Sequence, residues 1–158
     1  MVNVCMEIET TRDIARQVLR HRSFSFQEFS QRYAVSDSFI MSECRLQDEK
    51  NRQNSLSTDD RQLMYWWEGA QNRVLTDAKF MYESAIAKGI AKEVARKLLP
   101  EGLTMSRLYM NGTLRSWLHY IDIRCDNATQ KEHRDVAEQC RGIIFDLYPS
   151  LEEVLNGV

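Results

Sequence analysis

No run of apolar residues in this chain approaches the length needed to cross a bilayer. The sequence opens on no recognisable signal-peptide pattern. No charge of one sign dominates: 21 basic residues stand against 23 acidic ones, a net of −2. No whole-molecule field therefore draws the chain to nucleic acid or to a membrane surface. The four cysteines, Cys5, Cys44, Cys125 and Cys140, lack the paired spacing of metal ligands. They are expected to be reduced thiols in a cytoplasmic protein, in the host cytoplasm if the source is viral. Internal repeats and low-complexity segments are also missing.

What is present suits one soluble globular domain over residues 1–158: 43% of the chain is hydrophobic and 28% charged. A chain of this length can bury roughly two-thirds of its unfolded surface. Of the 21 basic residues fifteen are arginine and six lysine. That imbalance fits local recognition of anions better than a general polybasic surface.

Hydrophobic periodicity predicts a mostly helical chain with a small sheet, an α+β pattern with an antiparallel or mixed sheet. Val2, Val4, Met6 and Ile8 alternate with Asn3, Cys5, Glu7 and Glu9, which predicts a half-buried strand. Thr10 or Thr11 can cap a following helix whose apolar stripe is Ile14, Ala15, Val18 and Leu19. Residues 36–57 read as a long surface excursion. A long helix is expected from Ser57 or Thr58, with Asp59 and Asp60 in its first turn. Its Leu63, Trp66, Trp67, Ala70, Val74, Ala78, Met81, Ala85 and Ile86 recur at helical spacing, as core or subunit interface. Gly89 should end or kink this helix, which resumes over 90–98 until Pro100. A second strand is predicted over 103–110, helices over 113–125 and 129–147, and a short last helix over 149–155.

Within this frame the densest chemistry is at residues 20–33. Arg20-His21-Arg22 places three cationic or near-cationic side chains in a row beside Phe24, Phe26 and Phe29, and Ser30 and Arg32 follow. The planar guanidinium matches phosphate bidentately. The segment, expected as a loop after the first helix, suits a phosphorylated ligand; a solvated basic turn over an aromatic mini-core is the bland alternative. The 113–125 helix carries a second constellation. Arg115 and His119 are four apart and share a face, whereas Arg124 lies about half a turn around from Arg115. Exposed solubility charges and a hydrogen-bonded filler histidine would read the same way. Cys125, next to Arg124, could have a lowered pKa.

Arg20-His21-Arg22, seven residues and then Ser30-Gln31-Arg32-Tyr33 resembles the signature of the flavin-dependent thymidylate synthase family. The likeness extends along nearly the whole chain. Residues 2–22 resemble the strand and helix leading into the signature. Lys50-Asn51-Arg52-Gln53-Asn54-Ser55, within 47–56, is similar to viral and cyanobacterial members. Ala95-Arg96-Lys97-Leu98-Leu99-Pro100 and Leu114-Arg115-Ser116-Trp117-Leu118-His119-Tyr120 resemble its later motifs. Gln31 stands where many bacterial members carry glycine, and Thr113 where asparagine is common.

The resemblance implies a thymidylate synthase-complementing-like fold and reductive methylation of dUMP to dTMP. FAD would be the bound cofactor, NADPH the reductant and methylenetetrahydrofolate the one-carbon donor. It implies dUMP contacts at Gln17, Arg20, Glu28, Ser30, Gln31, Arg32, Arg96 and Arg124. It implies FAD contacts at Arg20, His21, Arg22, Glu28, Thr113, Arg115 and His119. Arg124 would sit against the uracil ring as the catalytic group, stabilising charge as C5 becomes nucleophilic. It implies a homotetramer, a folate site, no metal, and no nucleic-acid or membrane partner. Family members usually carry a further segment before the position of Met1, so the chain is expected to correspond to the C-terminal two-thirds or more of the family domain. A non-catalytic nucleotide- or flavin-binding oligomer, and a related pyrimidine methylating or hydroxymethylating enzyme, are the alternatives. A small helical nucleic-acid-binding module is disfavoured by the acidic balance.

Overall fold

The computed structural model describes residues 2–30, 38–52 and 54–151. Strand β1 (Asn3–Thr11) runs into helix α1 (Arg12–Val18), and strand β2 (Ser25–Glu28) follows the turn after it. Strands β3 (Arg45–Gln47) and β4 (Ser55–Ser57) come next, then the long helix α2 (Arg61–Ala87). A short helix α3 (Lys92–Ala95) passes into a 3-10 turn (Arg96–Leu98); strand β5 (Met105–Thr113), helix α4 (Leu114–Arg124) and helix α5 (Lys131–Leu147) follow.

The main sheet is antiparallel, in the order β1-β5-β2. β1 and β5 pair along their full length, from Asn3 opposite Thr113 to Thr11 opposite Met105. Alternation places Met6, Ile8, Leu108 and Met110 on one face. Helices α1, α4 and α5 cover that face with Ile14, Ala15 and Val18, with Trp117, Tyr120 and Ile121, and with Val136, Ala137, Cys140 and Ile144. Trp117 donates its indole N–H to the Val4 carbonyl at 3.0 Å, which pins α4 across the sheet. Gly112 is required by a close approach: a Cβ there would lie 2.5 Å from Cδ1 of Phe24.

The predicted strand and helices are present, with several corrections. Thr10 belongs to β1 and Thr11 occupies the N-cap position of α1 without a capping hydrogen bond. Its hydroxyl instead donates to Asp13 Oδ1 at 2.5 Å. The segment 20–33 is not wholly a loop, because Ser25–Glu28 joins the sheet beside β5. The excursion over 36–57 contains the β3–β4 hairpin; its residues 36, 37 and 53 lie outside the described residues. Each of these strands has three residues with one leucine, Leu46 or Leu56, too short for a period of two to register.

α2 starts later than predicted because Asp60 is its cap, accepting from the backbone N–H of Gln62 and Leu63. Its end is as expected. Gly89 takes φ 81, donates to Ile86 O, and Ile90 donates to Ala85 O, a Schellman closure. The expected apolar stripe of α2 is only partly inside. Trp66, Val74 and Met81 are exposed, whereas Gln71, Tyr82 and Ala85 are buried. The helix predicted over 90–98 divides into α3 and the 3-10 turn, and the second strand is shifted to Met105–Thr113. α4 matches its prediction, with Thr113 as N-cap and Cys125 as C-cap. α5 begins at Lys131 rather than 129. A last helical turn starts at Ser150, and residues 152–155 of that predicted helix lie outside the described residues. No helix among the described residues is long and apolar enough to cross a membrane.

Candidate functional site

The end of α1, the end of α4 and the start of α5 converge on one polar cluster. Three turn bonds wrap the Arg20-His21-Arg22 segment around the end of α1: Arg20 N–H donates to Gln17 O, His21 N–H to Val18 O, and Phe24 N–H to His21 O. This leaves Arg20 and Arg22 exposed and His21 half-buried. Phe24 then drives into the core, where its ring meets Trp117 edge to face at 4.9 Å. The phenylalanine beside the signature therefore acts as an anchor for the turn.

Arg124, on the last turn of α4, donates its Nε–H to Nε2 of His21 at 2.9 Å. His21 meets Tyr120 edge to face at 4.9 Å and His133 at 6.0 Å. His133 is fully buried, and its Nδ1 lies 3.4 Å from Gln17 Oε1. Burial, then the Arg124 guanidinium, then His119 push the His21 pKa down to about 4. Burial, then Arg124, then His21 push His133 down to about 4 as well. Burial first of all raises the Tyr120 phenol far above its ordinary range. At neutral pH the cluster is thus one cation, two neutral imidazoles and a neutral phenol. No carboxylate pairs with Arg124 among the described residues. Such a centre favours a ligand that is, or becomes, negative.

A second basic feature lies on the other side of α1. Arg12, Arg16, Arg96, Lys97, Leu99 and Glu101 line an open cleft of about 360 Å³. Glu101 is paired with Arg16 at 2.5 Å between exposed groups, which leaves the cleft positive. Gln17 and Arg96, both expected at a nucleotide, therefore fall in different places within one chain, on either side of the Arg16–Gln17 step.

The remaining predicted residues fall as follows. Glu28, in β2, accepts from the Ser106 hydroxyl at 2.8 Å, so it is held by the sheet. Ser30 follows it, half-buried; Gln31 and Arg32 lie outside the described residues. Thr113 accepts from the backbone N–H of Ser116 at 3.2 Å and is 3.0 Å from its hydroxyl, so its side chain caps α4. Arg115 and His119 are exposed on one face of α4. Arg20, Arg22 and Arg115 form no ion pair among the described residues. The lowered thiol pKa expected at Cys125 is corrected: burial raises it, outweighing the nearby Arg141.

His133, Tyr120 and Gln130 were not anticipated. A signal for the first two was present, since His133 precedes Val136, Ala137, Cys140 and Ile144 on the buried stripe of α5, and Tyr120 shares the α4 stripe with Trp117 and Ile121. A polar residue on such a stripe is a buried polar group that needs a partner.

The sequence matches the family described as Thymidylate synthase complementing protein over residues 1–150. The chain belongs to that family. Among its relatives, a flavin-dependent thymidylate synthase from Synechocystis sp. is 52% identical over 156 residues, covering 99% of this chain and 72% of the relative. A probable flavin-dependent thymidylate synthase from Paramecium bursaria Chlorella virus 1 is 47% identical over 154 residues, covering 97% and 71%. A crystal structure of a UMP/dUMP methylase, PolB from Streptomyces cacaoi bound with 5-Br dUMP, superposes with a TM-score of 0.81 at 26% identity, over 98% of this chain and 70% of that one. The α+β architecture described above is thus the thymidylate synthase-complementing fold, and the relatives at 47% and 52% identity are flavin-dependent thymidylate synthases.

Proposed function

We propose that residues 1–158 act as a catalytic domain of a flavin-dependent thymidylate synthase. The reaction is reductive methylation of dUMP to dTMP, with methylenetetrahydrofolate as one-carbon donor and NADPH as reductant. The observation that carries the reading is the half-buried Arg124 guanidinium, whose hydrogen-bond partner is a neutral histidine rather than a carboxylate. A cation with no carboxylate partner among the described residues is suited to a pyrimidine that gains negative charge at N3 and O2 as C5 becomes nucleophilic. Arginine stays protonated at neutral pH, so its role is electrostatic and not that of a base.

Arg20, His21, Arg22, Glu28, Thr113, Arg115 and His119 would hold FAD. The fit rests on three exposed guanidiniums, of Arg20, Arg22 and Arg115, free of ion pairs among the described residues, since a pyrophosphate suits such forks. When bound, the flavin supplies hydride chemistry. This chain's own groups bind, orient and polarise: Gln17, Arg20, Glu28, Ser30, Gln31, Arg32, Arg96 and Arg124 would hold dUMP. The positive cleft around Arg96 suits its phosphate. His21, which accepts from Arg124, would tie the flavin contacts to the nucleotide contacts.

A homotetramer is the proposed assembly, and the exposed aromatic face of α2 supports self-association. A cytoplasmic setting fits the reduced thiols. A second reading, methylation or hydroxymethylation of a related pyrimidine nucleotide, draws on the likeness to a UMP/dUMP methylase.

The test is a visible absorbance spectrum of the purified chain with FAD, then dUMP. A protein-bound flavin band that shifts on adding dUMP is expected; a folded chain that retains no flavin overturns the reading. Mass spectrometry of the product from dUMP and from UMP, with methylenetetrahydrofolate and NADPH, separates dTMP formation from the second reading.

A further inference from the structure

Arg124 is held by an acceptor that carries no charge. A guanidinium has donors only, so the 2.9 Å contact from its Nε to Nε2 of His21 needs a lone pair on that nitrogen. His21 is therefore a neutral imidazole with its proton on Nδ1. The bond by itself fixes this tautomer, which is ordinarily ambiguous. The low pKa of His21, set first by burial and then by Arg124 and His119, agrees with it.

The histidine is itself fixed. Its backbone N–H donates to Val18 O at 3.1 Å, and its carbonyl accepts from the Phe24 N–H at 3.3 Å. Its ring meets Tyr120 edge to face at 4.9 Å and His133 at 6.0 Å, and both of those residues are fully buried. His133 rests in turn on a polar row. Its Nδ1 lies 3.4 Å from Gln17 Oε1, Gln17 Nε2 donates to Gln130 Oε1 at 2.8 Å, and Gln130 Nε2 donates to Glu132 Oε2 at 3.1 Å.

An arginine is often oriented by a carboxylate, whose oxygens match the planar fork. Arg45 shows that solution within the same fold: Glu43 and Glu132 both pair with it, and its charge is compensated. A carboxylate beside Arg124 would orient the group and cancel its charge at once. His21 separates the two effects. It occupies the Nε edge, and Nη1 and Nη2 make no ion pair or hydrogen bond among the described residues. The end-on pair of N–H donors, with the charge uncompensated, is left for a ligand that offers two adjacent acceptors.

We infer that His21 is a positioning residue: it holds the Arg124 guanidinium by its Nε edge without neutralising it, and so keeps both the charge and the Nη fork for the nucleotide. The inference rests on the proposed place of Arg124 at the uracil ring. It gives His21 a task distinct from touching the flavin.

The experiment has two arms. The first is nitrogen NMR of the isotopically labelled, ligand-free chain at neutral pH, with the Arg124 Nε–H signal assigned by its loss in Arg124→Lys. That N–H should exchange with solvent at least about tenfold more slowly than those of Arg20, Arg22 and Arg115, the scale of one hydrogen bond. The His21 nitrogens should show the Nδ1-protonated form. An Arg124 Nε–H that exchanges as fast as the exposed ones overturns the inference.

The second arm is turnover of dUMP per bound flavin, for wild type, His21→Gln, His21→Glu and His21→Leu. Glutamine brings a neutral acceptor oxygen to the reach of Nε2, glutamate brings a charged one, and leucine brings none. His21→Gln should stay within about tenfold of wild type, and His21→Glu and His21→Leu should each fall about tenfold or more below His21→Gln. Normalising to bound flavin separates this effect from loss of flavin contacts. His21→Glu as active as His21→Gln, or His21→Leu as active as wild type, overturns the inference; so does His21→Gln as inactive as His21→Leu. A flavin-loaded wild type that turns over no dUMP while its Arg124 Nε–H is protected defeats the proposed function instead, and with it the role for the nucleotide. The first arm leaves residue 21 unchanged, so the test stays open if a variant fails to fold.

Discussion

Arg124 donates its Nε–H to Nε2 of His21 at 2.9 Å, joining positions 103 residues apart in sequence. The bond connects the turn after α1 to the last turn of α4, and it requires an unprotonated Nε2 on His21. The proposed uracil contact and a proposed flavin contact are therefore one hydrogen-bonded unit.

The first prediction concerns that unit. Arg124→Ala should lower turnover by roughly a thousandfold, the scale of removing one preorganised electrostatic group. Bound flavin should be largely retained, because the three guanidiniums proposed for it remain. Arg124→Lys should rescue little, since an ammonium lacks the planar fork and the Nε donor that reaches His21. Steady-state rates paired with the flavin absorbance of each purified variant check this; loss of flavin together with activity would contradict the division of roles.

Acid should destabilise the fold through two histidines. His21 and His133 have folded pKa values near 4, below the ordinary 6.5. Between these values the unfolded chain binds more protons, so stability rises with pH. Their contribution is complete above pH 6.5 and is lost as pH falls toward 4. The loss should be on the order of 3 kcal/mol in total, reduced from the full linkage value because His21 is half open to solvent. The groups around the pair, Arg124, Tyr120, His119 and Gln17, include no acid to offset it. Urea titrations from pH 7 to 4, compared with His133→Phe, should show a shallower pH dependence in the variant.

Gly112→Ala tests the anchor beneath the signature. A Cβ at this position would sit 2.5 and 2.7 Å from two ring atoms of Phe24. Phe24 has little room to yield, with Trp117 edge to face at 4.9 Å on its ring. The variant should lose roughly 1–3 kcal/mol of stability, as overpacked cores do. It should also weaken flavin retention, because Phe24 fixes the end of the Arg20-His21-Arg22 turn. Denaturant midpoints and the flavin spectrum report the two effects separately; a variant as stable as wild type would show that the ring moves freely.

The proposed tetramer predicts a surface effect. Trp66 and Phe80 on α2 are 65% and 64% exposed, and they lie within about 40° of one another around the helix. Trp66→Ser combined with Phe80→Glu should leave helical content unchanged and reduce the assembly to a smaller species. Light scattering coupled to size-exclusion chromatography checks this. An unchanged mass would assign the face to something other than self-association.

Local patterns in the sequence carried much of the fold because they are set by near neighbours. The alternation of β1, the Thr113 cap and Cys125 end of α4, and the glycine closure of α2 at Gly89 each depend on a few adjacent residues. Three-residue strands such as β3 and β4 hold too few side chains for any period, so only their pairing reveals them. The exposed half of the α2 stripe misled for a related reason, since an apolar face looks alike whether it meets the core or another surface.

The residue types of the site, with the Arg20-His21-Arg22 spacing and the Arg115–His119 face, were thus determined by the sequence alone, and with them the resemblance that leads to dUMP and flavin. Which of those groups touch was decided by the tertiary structure. It brought Arg124 to His21, placed His133 behind both, oriented Gln17 through Gln130 and Glu132, and set Arg96 in a separate cleft. The physical reason is that charge state and hydrogen-bond direction depend on burial and on neighbours supplied by distant segments. A histidine written in a sequence is an ordinary base near pKa 6.5; burial first, and then an arginine from another helix, keep it neutral and an acceptor well below that pH.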